Sequence, residues 1–447
     1  MPSHRDSSLP TATPRVVHLD VDAFLASVEV ALEPRLAGRA VVVGGPPTGR
    51  NLVMSCSYEA RRFGVRSGMA LREAKRLCPE AVFRDGDSQA ANRLREEVTR
   101  VLLGFSPWVE VASIDDFFVD LTGTRRLFGA ACDTAERMRE AIRERARLPV
   151  TIGIGTNRMM ARLAGKLAKP GGIAEVLPGH EEAFLAALPV ECLPGVGRAI
   201  GAALERFHVR TVGELRLVSR EVLFASFGRA GLVLHGRARG IDDAEVVATH
   251  REDAEGRLVV RPPRSIRRET TFEPEEGLRE RIEAMLSYLI ERAAHRLRSH
   301  RLVAGSLEVN VRYVDTHPRG ERREGLGAAR RRAFDAPTDS TDEIWRHGRR
   351  LFRELPRRRA LVKRIGVALH GLRASGGWQG RLFGEEGELA GRRASRADRQ
   401  RRLDHALDRL RDELGFGRVL RGSSTAIGET HPLRPDGYRL RTPSLNQ

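Results

Sequence analysis

Two acidic clusters flank apolar runs. Asp20 and Asp22 end the run Val16-Val-His-Leu19, and Asp115 and Asp116 lie at the turn between the runs 108–113 and 116–121. A carboxylate at the end of a buried strand is costly unless something positive satisfies it. Two Mg²⁺ ions would do so, since Mg²⁺ takes oxygen ligands and keeps positions open for substrate phosphates. Taken alone, an Asp-x-Asp more often serves a turn or a cap than a metal. A third pattern, Leu193-Pro-Gly-Val-Gly197, reads as a helix-hairpin-helix. Its glycines, Gly195 and Gly197, would let backbone N–H groups approach a phosphate with no Cβ in the way. An ordinary helix end followed by a turn has the same composition.

The elements that must hold these groups are legible as apolar patterns. Residues 15–33 read as a short strand running into a helix, and 39–44 as a second strand. Helical patterns follow at 57–63, 70–78 and 88–103, then the strand pair 108–113 and 116–121. A helix at 130–146, a strand at 150–154 and a helix at 157–168 complete an alternating unit, which Lys169-Pro-Gly-Gly172 breaks. From 180 to 240 the pattern is helical and Gly-punctuated. Residues 244–262 are charged and aperiodic, as in a linker. From 263 to 373 the order is strand, helix, strand, strand, helix, strand. The tail after 373 is rich in Gly and Arg and carries one amphipathic helix at about 400–414 (Leu403, Ala406, Leu407, Leu410).

The chain has 447 residues, 77 Lys and Arg against 59 Asp and Glu, and a net charge of +18. That length suits three or four domains, and the charge suits a polyanionic partner. The segment 263–373 alone holds 26 Lys and Arg against 16 Asp and Glu. It would track nucleic-acid phosphates without reading sequence. Cys56, Cys78, Cys132 and Cys192 are scattered with no CxxC pair, so neither a zinc site nor a disulfide framework is indicated. No apolar run reaches the ~20 residues of a membrane span. Met1 to Pro14 is polar and reads as a disordered lead-in rather than a signal peptide.

The motifs together resemble those of the Y-family DNA polymerases, in the bacterial DNA polymerase IV (DinB-like) branch. Asp20-Val-Asp-Ala-Phe-Leu-Ala-Ser-Val-Glu29 is similar to the family's first motif, and Ser113-Ile-Asp-Asp116 to its second carboxylate motif. Ser57-Tyr-Glu-Ala-Arg61 and Gly64-Val-Arg-Ser-Gly-Met69 resemble its finger motif. Gly153 to Pro170, Leu193–Gly197 and Arg264-Ser-Ile266 resemble its third palm segment, its thumb hairpin and the start of its little finger. The resemblance implies an α+β multidomain right hand: a ferredoxin-like palm (15–29 and 88–175), small fingers (30–87), a helical thumb with the helix-hairpin-helix (176–243), a linker (244–262), a β-α-β-β-α-β little finger (263–373) and a tail (374–447).

It also implies a function: template-directed, low-fidelity translesion DNA synthesis by two-metal nucleotidyl transfer. Asp20, Asp115, Asp116 and the Val21 carbonyl would hold two Mg²⁺ ions, with Mn²⁺ as an alternative. Tyr58 and Arg61, three apart on one helix face, would grip the β- and γ-phosphates with Lys169. Asp22 is expected to be structural. Leu52 and Met54 would roof the nascent base pair. Primer-template DNA and nucleoside triphosphates are the expected partners of a cytoplasmic, nucleoid-associated monomer. Gln379-Gly-Arg-Leu-Phe383 resembles the peptide by which bacterial polymerases bind a sliding clamp, with Gln379, Leu382 and Phe383 as its anchors.

Two positions depart from the family. It usually has Asp-Glu where this chain has Asp115-Asp116, so the second carboxylate is one methylene shorter. It usually has an aromatic residue at Leu25, which with Phe24 would stand against the incoming sugar and select against a 2′-hydroxyl. Two competing readings are a non-catalytic scaffold and a magnesium-dependent nuclease. The combined presence of Asp20, Asp115, Asp116, Tyr58, Arg61 and Lys169 argues against both.

Overall fold

The computed structural model describes residues 15–48, 51–316, 322–324, 327–356, 358–375, 388–431 and 433. The chain forms two compact units that meet at Arg261/Pro262.

In the first unit, strands β1 (Val16–Val21), β2 (Val41–Val43), β3 (Ser55–Cys56), β4 (Val82–Arg84), β5 (Val109–Val111), β6 (Asp116–Asp120), β7 (Val150–Gly155) and β8 (Ile173–Glu175) form two sheets. The larger has the order β5-β6-β1-β7-β8, with β1 central and antiparallel to both neighbours. The smaller is β3-β2-β4. Helices α1 (Phe24–Leu32), α2 (Tyr58–Arg62) and α3 (Leu71–Leu77) belong with the small sheet and its approach, while α4 (Ser88–Leu103), α5 (Arg125–Phe128), α6 (Ala131–Ala146) and α7 (Arg158–Ala168) surround the large one.

Strand alternation gives the large sheet two different faces. Val17, Leu19, Val21, Phe117, Val119, Ile152 and Ile154 share one core with Val98, Leu102, Met138 and Ile142 of α4 and α6. The opposite face carries His18, Asp20 and Asp116, and there α7 packs on β7 and β1. Small residues set how close α7 comes. A Cβ on Gly153 would lie 2.0 Å from the Ala161 carbonyl oxygen and 2.2 Å from the Gly165 nitrogen. Only a backbone without side chains permits that contact.

Beyond β8, five short helices follow: α8 (Glu181–Ala186), α9 (Arg198–Arg206), α10 (Val212–Leu217), α11 (Arg220–Phe227) and α12 (Arg229–Arg237). The expected linker then proves to be structured. β9 (His250–Glu252) and β10 (Leu258–Val260) form a hairpin, and the chain before it is fastened to the edge strand β5. Thr249 N–H donates to Val109 O at 3.0 Å, and Val247 N–H to Glu110 Oε2 at 2.9 Å. An open sheet edge recruits backbone pairing whatever the periodicity of the incoming segment.

The second unit has the expected β-α-β-β-α-β order: β11 (Ser265–Glu276), α13 (Arg279–Ser299), β12 (Leu302–Thr316), β14 (Ala328–Thr338), α14 (Thr341–Glu354) and β15 (Val362–His370), with the short β13 (Arg322–Glu324) inserted before β14. The sheet runs β11-β15-β12-β14, and both helices cover one face. On its other face Arg267, Ala368, Glu308 and Arg331 stand in one cross-strand row, and Arg364 and Arg312 pair in another.

The tail departs from its amphipathic reading. Its helix, α15 (Glu388–Leu414), starts earlier than expected and turns its charged stripe inward. Asp404 and Arg411 are buried, whereas Leu403 and Leu410 are 48% and 44% exposed. The inward charges are paired: Arg298 of α13 donates to both Asp408 oxygens at 2.6 and 2.8 Å, and Arg411 bonds the buried Glu291. Phe416 and Ile427 beyond it join the core of this unit. Burial pushes the Glu291 carboxyl up, against the pull of Arg411. A buried charge already present on α13 demands a partner more strongly than a leucine demands cover.

The contact between α7 and β7 yields a test. Gly153→Ala should cost roughly 2–4 kcal/mol of stability, because backbone atoms rather than side chains would have to move. Equilibrium urea unfolding reads this, and a midpoint equal to wild type would refute the contact.

Candidate active site

The site lies where β1 ends and β6 and β7 begin. Asp20 is the cross-strand partner of both Asp116 on β6 and Thr151 on β7. Asp20 and Asp116 therefore share the face that α7 overhangs. Among the described residues, His18, Asp20 and Asp116 form the one group of three or more His, Cys, Asp or Glu side chains whose ligand atoms all lie within 4.8 Å of one another.

Basic side chains balance this charge. Lys169, just past α7, bonds Asp20 Oδ1. Arg162 of α7 donates to Asp116 Oδ2 at 3.3 Å, and His18 Nε2 lies 3.1 Å from Asp116 Oδ1. Burial pushes the Asp20 carboxyl up to about 7, Lys169 opposes that, and Asp116 and Asp115 reinforce it. Burial also acts on Asp116, but the bond and charge of His18, with Arg162, outweigh it and hold this carboxyl below the ordinary range. The two acids thus divide the cost of sharing a site. Hard oxygen donors arranged this way suit Mg²⁺ or Mn²⁺.

Asp115 is a neighbour of this group but not part of it. Its carboxylate accepts from the Ser113 hydroxyl, and its carbonyl accepts from Val21 N–H at 2.9 Å. Asp22 faces elsewhere. It is 2% exposed and accepts from Tyr58 Oη at 3.1 Å, Thr151 Oγ1 at 2.7 Å and Gly171 N–H at 2.9 Å. That agrees with the structural role expected for it. Burial, then the Asp22 charge, pushes the Tyr58 phenol up to about 12. The Arg61 guanidinium lies 4.4 Å from the centre of the Tyr58 ring. Through Asp22, Tyr58 and Arg61 on α2 are tied to the loop carrying Lys169.

Between β1 and α1 the chain turns at Ala23, whose φ is +48°. Phe24, the next residue, is 3% exposed and belongs to the core, so of the two residues proposed to face the sugar only Leu25 remains partly exposed. Leu52 and Met54 are 54% and 45% exposed. Gly195 has φ +91°, a conformation that suits glycine, and Gly197 precedes α9. Gln379, Leu382 and Phe383 lie outside the described residues. Two residues of this cluster, His18 and Arg162, are not singled out by the sequence motifs. Strand alternation pointed to His18, two before Asp20, whereas nothing local marks Arg162 among the many arginines.

Comparison with known proteins decides the family. Residues 19–166 match the impB/mucB/samB family, 263–382 match that family's C-terminal domain, and 191–242 match the thumb domain of DNA polymerase-iota. The DNA polymerase IV of Desulfatibacillum aliphaticivorans is 32% identical over 94% of this chain and 99% of its own length. This chain belongs to the DNA polymerase IV family. The DNA polymerase IV of Halorhodospira halophila is 38% identical over 67% of this chain and 82% of its own. In fold, a Y-family DNA polymerase chimera superposes over 80% of this chain and 99% of its own, with a TM-score of 0.66 and 22% identity. DinB from Sulfolobus solfataricus covers 80% and 98%, with a TM-score of 0.54. As a member of this Y-family group, the chain has the right-hand polymerase architecture, with the large sheet as palm and the β-α-β-β-α-β unit as little finger. Among the described residues no helix is long and apolar enough to cross a membrane.

Asp22 supplies the test of this site. Asp22→Ala would leave two donors, Tyr58 Oη and Thr151 Oγ1, short of an acceptor, at about 1–3 kcal/mol for each group left unsatisfied, while Gly171 N–H keeps Thr151 Oγ1 at 2.8 Å. Thermal unfolding should show a destabilisation of roughly 2–4 kcal/mol, and a loss below about 0.5 kcal/mol would contradict the bridging role.

Proposed function

We propose that this chain is a template-directed DNA polymerase for low-fidelity translesion synthesis, which adds deoxyribonucleotides to a primer 3′-hydroxyl by two-metal nucleotidyl transfer. The observation that carries the proposal is the placement of Asp20 and Asp116 on paired strands under a basic helix, in a chain of the DNA polymerase IV family. Asp20, Asp116, the Val21 carbonyl and Asp115, once Asp115 turns from Ser113, would hold the divalent ions. When bound, these ions lower the pKa of the attacking hydroxyl and neutralise charge on the phosphates.

The protein's own part is positioning. Lys169 spans between Asp20 and the triphosphate, and the Tyr58–Arg61 pair holds the β- and γ-phosphates. Leu52 and Met54 lie over the nascent base pair. The backbone at Gly195 and Gly197 meets a DNA phosphate. In the little finger, the sheet face bearing Arg267, Arg312, Arg331 and Arg364 follows duplex phosphates, so affinity should fall with salt. The domain limits we propose are palm 15–29 and 88–175, fingers 30–87, thumb 176–243 and little finger 263–373. The setting is the bacterial cytoplasm, at the nucleoid, with the chain acting as a monomer. Gln379, Leu382 and Phe383 would engage a sliding clamp.

Primer extension tests the chemistry. Asp20→Ala and Asp115→Ala should abolish extension with Mg²⁺ or Mn²⁺ while DNA affinity stays within about threefold, since affinity resides in the basic surfaces. Extension at the wild-type rate by either variant would remove that residue from the site.

Sugar selection gives a second test. Leu25 is smaller than the ring the family usually carries there, so the clash with a 2′-hydroxyl is relieved. Wild type should insert ribonucleotides measurably, and Leu25→Phe should lower their kcat/KM at least about tenfold relative to deoxyribonucleotides, a difference of ~1.4 kcal/mol. If wild type already discriminates by roughly 10⁴, the selecting contact is elsewhere.

A further inference from the structure

His18 is 3% exposed and stands on the site face of β1, two residues before Asp20. Its ring centre lies 4.8 Å from that of Phe118. Nε2 points at Asp116 Oδ1, 3.1 Å away. Nδ1 points the other way and has no hydrogen-bond partner among the described residues. It faces the α7 backbone at Gly165, where an added Cβ would come within 3.3 Å of it.

Two roles fit a histidine so close to two carboxylates. As a metal ligand it would bind through Nε2 and carry its proton on Nδ1, and a ligating histidine almost always donates that second N–H to an acceptor. Here that donor would be buried with nothing to receive it, at a cost of about 1–3 kcal/mol. With the proton on Nε2 the ring donates to Asp116 and buries only a lone pair. The unpartnered Nδ1 therefore separates the two roles.

Resting on the metal-binding reading of the site, we infer that His18 is the positioning residue for Asp116, whose Oδ1 it holds so that Oδ2 faces the cation site. Arg162, which bonds Asp116 Oδ2, is 57% exposed, so it can be displaced by a cation. His18 lies below the carboxylate in the buried sheet face and cannot leave. The inference ties His18 to the shorter acid. A glutamate at 116 would carry its carboxylate one methylene farther from the strand and beyond the imidazole. Histidine and aspartate act as a matched pair that sets where the second carboxylate stands.

The test is Mn²⁺ titration of the protein–primer-template complex without nucleotide, followed by the paramagnetic resonance of free Mn²⁺. His18→Leu should weaken binding roughly tenfold, the low end of what such supporting residues contribute. His18→Gln, whose amide N–H reaches toward the same oxygen, should stay within about threefold of wild type. In an Asp116→Glu background, His18→Leu should change binding by less than about twofold, because the partner it positions has moved. The Mg²⁺ concentration for half-maximal extension should shift in parallel, with DNA affinity unchanged. A merely structural histidine would give the same loss in both backgrounds, and that result, or no loss in either, overturns the inference. If the leucine variant does not fold, His18→Asn, whose amide stops short of Asp116, makes the same comparison. Asp20→Ala serves as the separate control: if it binds Mn²⁺ as tightly as wild type, the metal site itself is wrong, whatever His18 does.

Discussion

The buried Asp22 carboxylate is the constraint on which the site depends. A charge taken out of water must be matched by donors, and it recruits them from wherever the chain can bring them. Here they come from the helix of the small sheet (Tyr58), the strand beside β1 (Thr151) and the loop after α7 (Gly171). Those three places carry or adjoin the groups proposed to hold the triphosphate. One buried acid thus fixes the spacing of the residues proposed to hold the triphosphate.

Two residues earlier on the same strand, Asp20 faces the opposite problem. It shares its surroundings with Asp116, and two carboxylates so close resist being charged together. The fold answers with Lys169 on one acid and with His18 and Arg162 on the other. These three side chains fix where the two carboxylates stand. The close seating of α7 on β7, enforced at Gly153, brings Arg162 within reach of Asp116. A loss of packing there would therefore be felt as electrostatics in the site.

The second unit follows the same rule at a larger scale. Glu291 is fully buried in α13, and the segment beyond the sheet returns to satisfy it with Arg411 and Ser424. Arg298 draws Asp408 in the same way. Polar satisfaction, not apolar cover, decides which side of α15 faces inward. The helices occupy one face of the sheet, and the other keeps its arginines, interleaved with Glu269 and Glu308 that temper their mutual repulsion.

Much of this protein was determined locally by its sequence. The alternation through Val16–Val21 dictated a strand with Asp20 on one face and Val21 on the other. The helix expected at 88–103 forms at those residues, and those expected at 130–146 and 157–168 begin one residue later. The β-α-β-β-α-β order of the second unit was legible because each element there is long and strongly patterned. Local pattern could not reveal contacts whose cause lies far along the chain. The aperiodic segment before residue 262 became a hairpin beside β5, whose open edge offered hydrogen bonds. Leu403 and Leu410 of α15 stayed outside because Glu291 and Arg298, over a hundred residues earlier, required its charges. His18 and Arg162 came to one carboxylate because strand pairing and a glycine contact bring three separate segments together. Periodicity records which side of an element is apolar; which buried charge that element must answer is settled only by tertiary contact.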